Sequence, residues 1–215
     1  MSEIISGKNA VLEAIKSGMT INKVMIAEHI DEHFVGAVLR LCRENHIPIR
    51  RLPRHKLNQL AGADNRGIAA EAASASYAEV DDILDAAAAK GEPPFVVLLD
   101  GIEDPHNLGA IIRTANLAGA HGVIIPKNRA VGLTATVART SAGALNYTKV
   151  ARVTNMAQTI EELKQQGLWF VCADMGGETM YDLNLTGPIG LVIGNEGSGV
   201  GRLVKEKCDM TASIP

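Results

Sequence analysis

Two short segments without charged residues, Phe95–Leu99 and Ile189–Ile193, constrain the fold of this chain more than any other feature. Strands of this kind are covered on both faces, which is typical of a parallel sheet with helices on either side. Extended and helical segments alternate around both of them, and such alternation favours parallel pairing. Residues 93–215 are therefore predicted to form a parallel-sheet α/β domain.

The other elements of this domain are predicted from hydrophobic spacing. Further strands are expected at 123–125, 150–153, 169–173 and 212–214, and helices at 108–118, 134–141, 156–166 and 202–207. In a parallel sheet, ligands bind at the loops that follow the carboxyl ends of the strands. Because the loops after Leu99 and Ile193 are rich in Gly and Asn, we expect the functional site there.

Residues 1–76 show a second, shorter alternation, which predicts a small α/β domain. Helices are expected at 7–16, 31–42 and 54–60, and strands at 21–27, 47–52 and 68–73. The segment 77–92 is acidic and rich in alanine, and it ends at Gly91 before two prolines, where a helix must stop. We interpret it as a linker between the two domains.

Composition excludes several classes of protein. Hydrophobic residues make up 47% of the chain and aromatic residues 3%, so the chain is not disordered and its core is aliphatic. No apolar run reaches the length of a membrane span, and the first residues lack the regions of a secretory signal, so we expect a cytoplasmic protein. Cys42, Cys172 and Cys208 form no CxxC pair and are interpreted as small apolar residues, with no metal site.

The net charge of −3 is unevenly distributed. Residues 1–76 carry ten Lys and Arg against eight Asp and Glu, residues 77–92 carry one against five, and residues 93–215 carry ten against eleven. One basic group without an acid fits either phosphate contacts or an ordinary solvated surface. It contains Arg50, Arg51, Arg54, His55 and Lys56, and a looser group contains Lys127, Arg129 and Arg139.

The loop after the first apolar strand reads DGIEDPHNLGAIIRTA over residues 100–115. Pro105 restricts the backbone, Asn107 is expected at the helix N-cap, and Gly109 leaves room for another backbone to approach. Arg113 lies two turns into an otherwise apolar helix, so its guanidinium must face a carboxylate, a phosphate or solvent. The alternative interpretation is that Asn107 only caps the helix and that Arg113 is an ordinary surface arginine.

The loop after the second apolar strand reads GNEGSGVG over residues 194–201, with Glu196 at the mouth of the strand. Four glycines in eight residues predict positive φ angles and close contact with a ligand or with another part of the chain. The alternatives are a flexible turn and a phosphate-binding loop. Two features argue against a phosphate-binding loop. The loop lacks the Lys followed by Ser or Thr of the P-loop motif, and it does not open the first βαβ unit, where the dinucleotide-binding motif is normally found.

These loops together resemble the TrmH/SpoU family of RNA ribose 2′-O-methyltransferases. The stretch DPHNLGAIIRTA resembles the first motif of the family, LVIGNEGSGV the second, and Ser213–Ile214–Pro215 the start of the third. ISGKNAVLEAI and NRGIAA resemble the small substrate-binding domain of the subgroup that modifies a guanosine in large-subunit rRNA. The resemblance implies a ribosomal-protein-like α/β fold for residues 1–76 and a deep trefoil knot in residues 93–215.

The resemblance also implies ligands and partners. S-adenosyl-L-methionine would bind among the knotted loops, structured RNA would be the substrate, and two copies of the chain would form a homodimer. Asn107, Arg113 and Glu196 would form the reaction centre. The cofactor site would be lined by Ala173, Gly194, Gly197 and Ile214. The RNA would contact Arg50, Arg51, Arg54, Lys56 and Arg139.

The third motif departs from the family pattern, in which Ile-Pro is followed by Ser-Leu-Asn and a closing helix. This sequence ends at Pro215, so we expect an incomplete knot and an inactive 215-residue form. Two other functions remain open at this point. One is a non-catalytic RNA-binding protein with a degenerate methyltransferase domain, and the other is an enzyme that binds a nucleotide at residues 194–201.

Overall fold

The computed structural model describes residues 4–214, and the chain separates into two compact units. The first comprises the residues up to Ser76 together with Gly132–Thr136, and the second comprises Tyr77–Val131 and the residues from Val137 onward. Pro215, which completes the start of the third motif, lies outside the described residues.

The first unit contains a four-stranded mixed sheet in the order β1-β4-β2-β3. Strands β2 and β3 are parallel, and β4 runs antiparallel to both β1 and β2. The bounds are β1 Ile4–Ser6, α1 Lys8–Lys16, β2 Ile21–Ala27, α2 Glu32–Glu44, β3 Ile49–Leu52, α3 Arg54–Ala61 and β4 Ile68–Ala72. All but β1 were expected from the sequence.

Alternation along β2 produces two small cores in this unit. Val24 and Ile26 pack with apolar residues of α1 and α2, whereas Met25 on the opposite face packs with Leu57 of α3. The side chain of Asp31 accepts a hydrogen bond from the His33 amide at 2.9 Å, so Asp31 caps α2 as predicted.

The second unit contains a six-stranded sheet in the order β10-β8-β9-β5-β6-β7, and every adjacent pair is parallel. This confirms the predicted parallel sheet. The strands are β5 Phe95–Asp100, β6 Gly122–Pro126, β7 Lys149–Val153, β8 Trp169–Thr179, β9 Ile189–Gly194 and β10 Met210–Ser213. The helices are α4 Val80–Lys90, α5 Pro105–Leu117, α6 Ala135–Thr140, α7 Met156–Gln165 and α8 Arg202–Lys205. No helix within residues 4–214 combines the length and apolarity needed to cross a membrane.

The segment 77–92 is part of the second unit, whereas its composition suggested a linker. It forms α4, and Ile83 of that helix is fully buried in the main core beside Val96 and Leu98. Gly122 at the start of β6 makes room for it, since a Cβ there would lie 2.5 Å from Ile83 Cδ1. The domain boundary also differs because Gly132–Thr136 belongs to the first unit.

The two apolar segments occupy adjacent, interior positions of the sheet as β9 and β5. Val96, Leu98 and Val192 point into the main core with residues of α7. The interior of both strands therefore carries no charged residue. Since the strands are parallel and in register from Phe95–Ile189 to Asp100–Gly194, the loops that follow them start side by side.

Candidate active site

The two loops expected to carry the chemistry are joined by hydrogen bonds. We call residues 100–104 the α5 loop and residues 194–201 the glycine loop. The Asn195 Nδ2 atom donates to the Gly101 carbonyl oxygen at 2.8 Å, and the Gly201 amide donates to Asp100 Oδ2 at 2.7 Å. Both ends of the glycine loop are therefore fixed to the end of β5.

The interior of the glycine loop is a closed turn. The backbones of Asn195 and Gly199 exchange hydrogen bonds of 3.0 and 2.8 Å, and Asn195 Oδ1 accepts from the amides of Gly197 and Ser198 at 2.9 and 3.2 Å. A Cβ at Gly194 would lie 2.2 Å from the Gly199 carbonyl carbon, so only glycine permits this closure. The loop is thus a hydrogen-bonded turn rather than a flexible connection.

The same hydrogen bonds disfavour a phosphate-binding loop. Such a loop needs backbone N–H groups that point at the ligand. Here the amides of Gly197, Ser198, Gly199 and Gly201 all donate to acceptors within the protein. Helix α8 after the loop spans only Arg202–Lys205, which is too short to contribute a full helix dipole.

Helix α5 begins earlier than the sequence suggested. Its N-cap is Asp104, whose side chain accepts from the His106 amide at 2.6 Å, and Pro105 is its first residue. Asn107 was expected to be the cap and lies instead within the first turn, with its side chain exposed. Asp104 takes the position because its carboxylate also interacts favourably with the positive end of the helix dipole.

Gly109 confirms the close approach that its position predicted. A Cβ there would lie 1.9 Å from Thr140 Oγ1 and 3.0 Å from the Ser141 amide nitrogen. Thr140 also donates a hydrogen bond to the Pro105 carbonyl oxygen at 3.3 Å. The first turn of α5, which carries Asn107, is therefore held against the end of α6.

The three residues assigned to the reaction centre, Asn107, Arg113 and Glu196, are all exposed. Arg113 and Glu196 form no ion pair within residues 4–214. On α5, a separation of six residues places Arg113 about 9 Å farther along the helix axis than Asn107 and roughly 120° around it. Asn107 lies in the first turn of α5 and Glu196 lies in the glycine loop, which hydrogen bonds join to the α5 loop. Arg113 lies nearly two turns farther along α5 than Asn107.

A largely apolar cavity of about 570 Å³ is lined in part by Ile193, the residue directly before the glycine loop. It lies on the face of the sheet opposite the main core, and β5, β8, β9 and β10 all contribute to it. Ala173 and Ile214 line it as expected for cofactor residues, whereas Gly194 and Gly197 do not. Sequence reasoning missed Phe95, Val171, Leu191 and Ile193, although alternation along the strands indicates that they share one face.

An ion pair connects the middle of β8 with α8, which follows the glycine loop. Lys205 Nζ lies 2.5 Å from Asp174 Oδ2, and this hydrogen bond holds the pKa of Asp174 below its usual value and raises the pKa of Lys205. Nearby, burial raises the pKa of the Cys208 thiol to about 12, so it is not a nucleophile near neutral pH. Within the described part of the chain, no three His, Cys, Asp or Glu side chains could hold a metal ion.

The residues expected to contact RNA are all exposed, and they lie on three different elements. Arg50 and Arg51 lie on opposite faces of β3, and Arg51 pairs with Glu32 at 2.6 Å. Arg54 and Lys56 are in the first turn of α3. Arg139 belongs to α6 of the second unit.

Comparison with known families identifies both parts of the chain. The model described as "SpoU rRNA Methylase family" matches residues 94–215, and the model described as "RNA 2'-O ribose methyltransferase substrate binding" matches residues 4–78. The chain belongs to the SpoU rRNA methylase family. The resemblance to the TrmH/SpoU family and the presence of its substrate-binding domain at the start of the chain are thereby confirmed.

Relatives of this SpoU methylase match along nearly its whole length. A TrmH family tRNA/rRNA methyltransferase of Bacillus subtilis (strain 168), YacO, is 47% identical over 214 residues, which cover 99% of this chain and 86% of the relative. A TrmH family tRNA/rRNA methyltransferase of Staphylococcus haemolyticus is 46% identical over 213 residues, with the same two coverages.

Solved SpoU structures share the fold at lower sequence identity. AviRb from Streptomyces viridochromogenes in complex with AdoMet aligns with a TM-score of 0.58 and 23% identity, over 99% of this chain and 80% of that one. The AdoMet-bound rRNA methyltransferase of Sinorhizobium meliloti aligns with a TM-score of 0.57 and 22% identity, over 100% and 78%. These similarities establish the architecture of the SpoU methylase described above.

Proposed function

We propose that this protein transfers a methyl group from S-adenosyl-L-methionine to a ribose 2′-hydroxyl of structured RNA in the cytoplasm, and that its target is a guanosine of 23S rRNA. The observation that carries the proposal is the junction of the α5 loop and the glycine loop, which joins the segment directly before the first turn of α5, where Asn107 lies, to the turn that carries Glu196. The family names supply the reaction class, and solved relatives contain AdoMet.

The chain offers a cavity that fits this cofactor. Small-molecule sites have volumes of roughly 300–1,000 Å³ and mostly apolar walls, and the cavity of about 570 Å³ meets both conditions. Ala173 and Ile214 would hold the adenosyl group there, and Gly194 and Gly197 would contribute backbone from the adjoining turn. When bound, the cofactor supplies an electrophilic methyl group on a positively charged sulfur.

The side chains of the chain would act on the RNA. A ribose hydroxyl is a weak nucleophile near neutral pH, so its oxygen must be positioned and the developing negative charge stabilised. The Arg113 guanidinium would stabilise that charge or hold the neighbouring phosphate. Glu196 would orient Arg113 or Asn107 once the RNA is bound.

We also propose RNA contacts by the remaining basic residues and a homodimeric enzyme. Arg50, Arg51, Arg54, Lys56 and Arg139 are exposed and would contact phosphates. The exposed apolar side chains of Met175 and Ile214, 92% and 80% accessible, favour a second copy as the covering surface. Analytical ultracentrifugation of the full-length protein should give the mass of a dimer, and a monomer at micromolar concentration would contradict this part of the proposal.

Arg113 provides the test of the proposed reaction. Full-length Arg113→Ala and Arg113→Lys variants should lose at least roughly a hundredfold in single-turnover methyl transfer to a 23S rRNA transcript. Lys90→Ala, at the exposed end of α4 in the same unit, is the control and should react like the wild type. Near-normal rates for either Arg113 variant would refute its role. RNA binding without S-adenosyl-L-methionine binding by calorimetry would indicate the non-catalytic alternative.

A further inference from the structure

Four basic residues from four separate segments lie at one edge of the sheet in the first unit. Strands β1, β2 and β3 end at this edge, and β4, which is antiparallel to β1 and β2, begins there. The residues beside these strand ends include Lys8, His29, Arg54 and Arg66. We call these four residues the basic edge, and of them only Arg54 belongs to the basic run at residues 50–56 of the sequence.

Backbone hydrogen bonds hold the four segments together. The Gly7 amide donates to the Ile68 carbonyl oxygen at 2.9 Å, and the Ala27 amide donates to the Gly67 carbonyl oxygen at 2.9 Å. The Glu28 amide donates to the Leu52 carbonyl oxygen at 2.8 Å. The residues that follow β1, β2 and β3 are thus fixed next to the start of β4.

Arg66 is presented to solvent by a buried asparagine. It has a left-handed backbone with φ of +49°, which is uncommon for a residue with a side chain and recurs at functional sites. The fully buried Asn65 donates from Nδ2 to Asn58 Oδ1 at 2.8 Å and to the Gly62 carbonyl oxygen, and its Oδ1 accepts from the Gly67 amide at 2.7 Å. These contacts fix the backbone on both sides of Arg66.

Arg54 lies against the next residue, Gly67. A Cβ at Gly67 would be 2.6 Å from Arg54 Nη1, so any side chain there would push the guanidinium away. The glycine therefore allows the Arg54 guanidinium to rest on the backbone directly adjacent to Arg66. The Arg54 side chain and the Arg66 backbone are thereby brought to the same edge.

Within residues 4–214, no carboxylate forms an ion pair with either arginine of this pair. Arg54 and Arg66 make no ion pair within residues 4–214, in contrast to Arg51, which pairs with Glu32. Lys8 Nζ lies 4.6 Å from the centre of the Phe34 ring, which positions it without removing its charge. Glu28 is an exposed carboxylate at the same edge, and the Asp31 carboxylate is used to cap α2.

We propose that Arg54 and Arg66 together bind a backbone phosphate of RNA, with Lys8 and His29 contacting the adjacent backbone. Paired guanidinium groups match the geometry of phosphate oxygens, and proteins recognise folded RNA largely through its shape and backbone. The proposal takes its ligand from the proposed function, in which RNA is the substrate. It adds Lys8, His29 and Arg66 to the contacts proposed for the basic run, on a surface that the fold assembles.

The test compares Arg54→Ala, Arg66→Ala and the double variant with wild-type full-length protein in binding to an in vitro transcript of 23S rRNA across a range of salt. Each single variant should bind roughly tenfold more weakly, because a charged contact to phosphate is lost. The slope of log K against log salt should become shallower by about 0.7–1 per arginine removed. Arg43→Ala is the matched control, since this exposed arginine lies near the end of α2, at the opposite edge of the same sheet.

Arg66→Gly separates binding from folding. Glycine adopts a left-handed backbone without strain, so this variant should be as stable to heat as the wild type or more stable, while it binds RNA more weakly. Wild-type affinity and salt slope for Arg54→Ala and Arg66→Gly would overturn the proposal, and so would an equal loss for Arg43→Ala. If the wild type binds with the predicted salt dependence but transfers no methyl group, the proposed reaction fails and the basic edge stands.

Discussion

At the scale of single residues, Asn195 does more to shape the candidate site than any residue singled out from the sequence. Its amide nitrogen reaches the α5 loop, and its amide oxygen closes the turn that presents Glu196. An amide can do both because it is a donor at one atom and an acceptor at the other, which neither a carboxylate nor a hydroxyl in one fixed orientation can match.

We therefore predict that Asn195→Asp impairs methyl transfer. The turn keeps its acceptor, but a carboxylate oxygen would face the Gly101 carbonyl oxygen, at a cost of about 1–3 kcal/mol. The single-turnover rate should fall by roughly ten- to a hundredfold. Asn155→Asp is the matched control, because Asn155 caps α7 with its oxygen alone and aspartate caps equally well. Equal rates for wild type and Asn195→Asp would show that the link between the loops is dispensable.

Gly109 gives a second prediction at this scale. Gly109→Ala forces a methyl group into Thr140 and should destabilise the second unit by about 1–3 kcal/mol in urea unfolding. Gly36→Ala, in the interior of α2 with nothing within 4 Å of the new Cβ, should instead stabilise the first unit by up to about 1 kcal/mol. If both substitutions changed stability in the same direction, the contact between α5 and α6 would not be as close as described.

At the scale of elements, α4 illustrates how composition can mislead. Its alanines and acids suggest a solvated linker, yet one fully buried side chain, Ile83, fixes it to the core of the second unit. Ile83→Ala should destabilise that unit by about 2–5 kcal/mol, whereas Asp85→Ala on the exposed side of α4 should change stability by less than about 0.5 kcal/mol. Urea unfolding followed by circular dichroism measures both, and a neutral Ile83→Ala would restore the linker interpretation.

The elements that could be predicted are those with a strong local signal. Strands β5 and β9 were found because both of their faces are buried, so their apolar pattern is continuous. The extension of β8 beyond Ala173 was not found, because Asp174–Thr179 is mostly polar and pairs with β10 only across an irregular register. Strand β1 has three residues, too few for any periodicity.

The features of the candidate site also divide into those that a local motif predicts and those that it does not. Asn107, Arg113 and Glu196 could be named from motifs, but the cap at Asp104 could not, because Asp104 and Asn107 are both residue types that suit an N-cap. The link from Asn195 to Gly101 and the ion pair from Lys205 to Asp174 join residues 94 and 31 positions apart. Contacts of this kind depend on strand order, which the sequence pattern does not specify.

At the scale of the whole molecule, the chain combines an RNA-substrate unit and a methylase unit, as its two family matches indicate. The trefoil knot and the homodimer stay predictions. The account assigns different tasks to the units: substitutions at the basic edge should alter RNA affinity, and substitutions at Arg113 should alter the rate of transfer to bound RNA.

The proposed reaction has one product, a guanosine methylated at its ribose 2′-oxygen, and nucleoside analysis identifies it. A 23S rRNA transcript is incubated with full-length protein and S-adenosyl-L-methionine carrying an isotopically labelled methyl group, then digested to nucleosides and analysed by mass spectrometry. We expect the wild type to place the label in 2′-O-methylguanosine, and we expect little label with the Arg113→Ala variant. Label on a base, or no label in any nucleoside with the wild type, would contradict the proposed reaction.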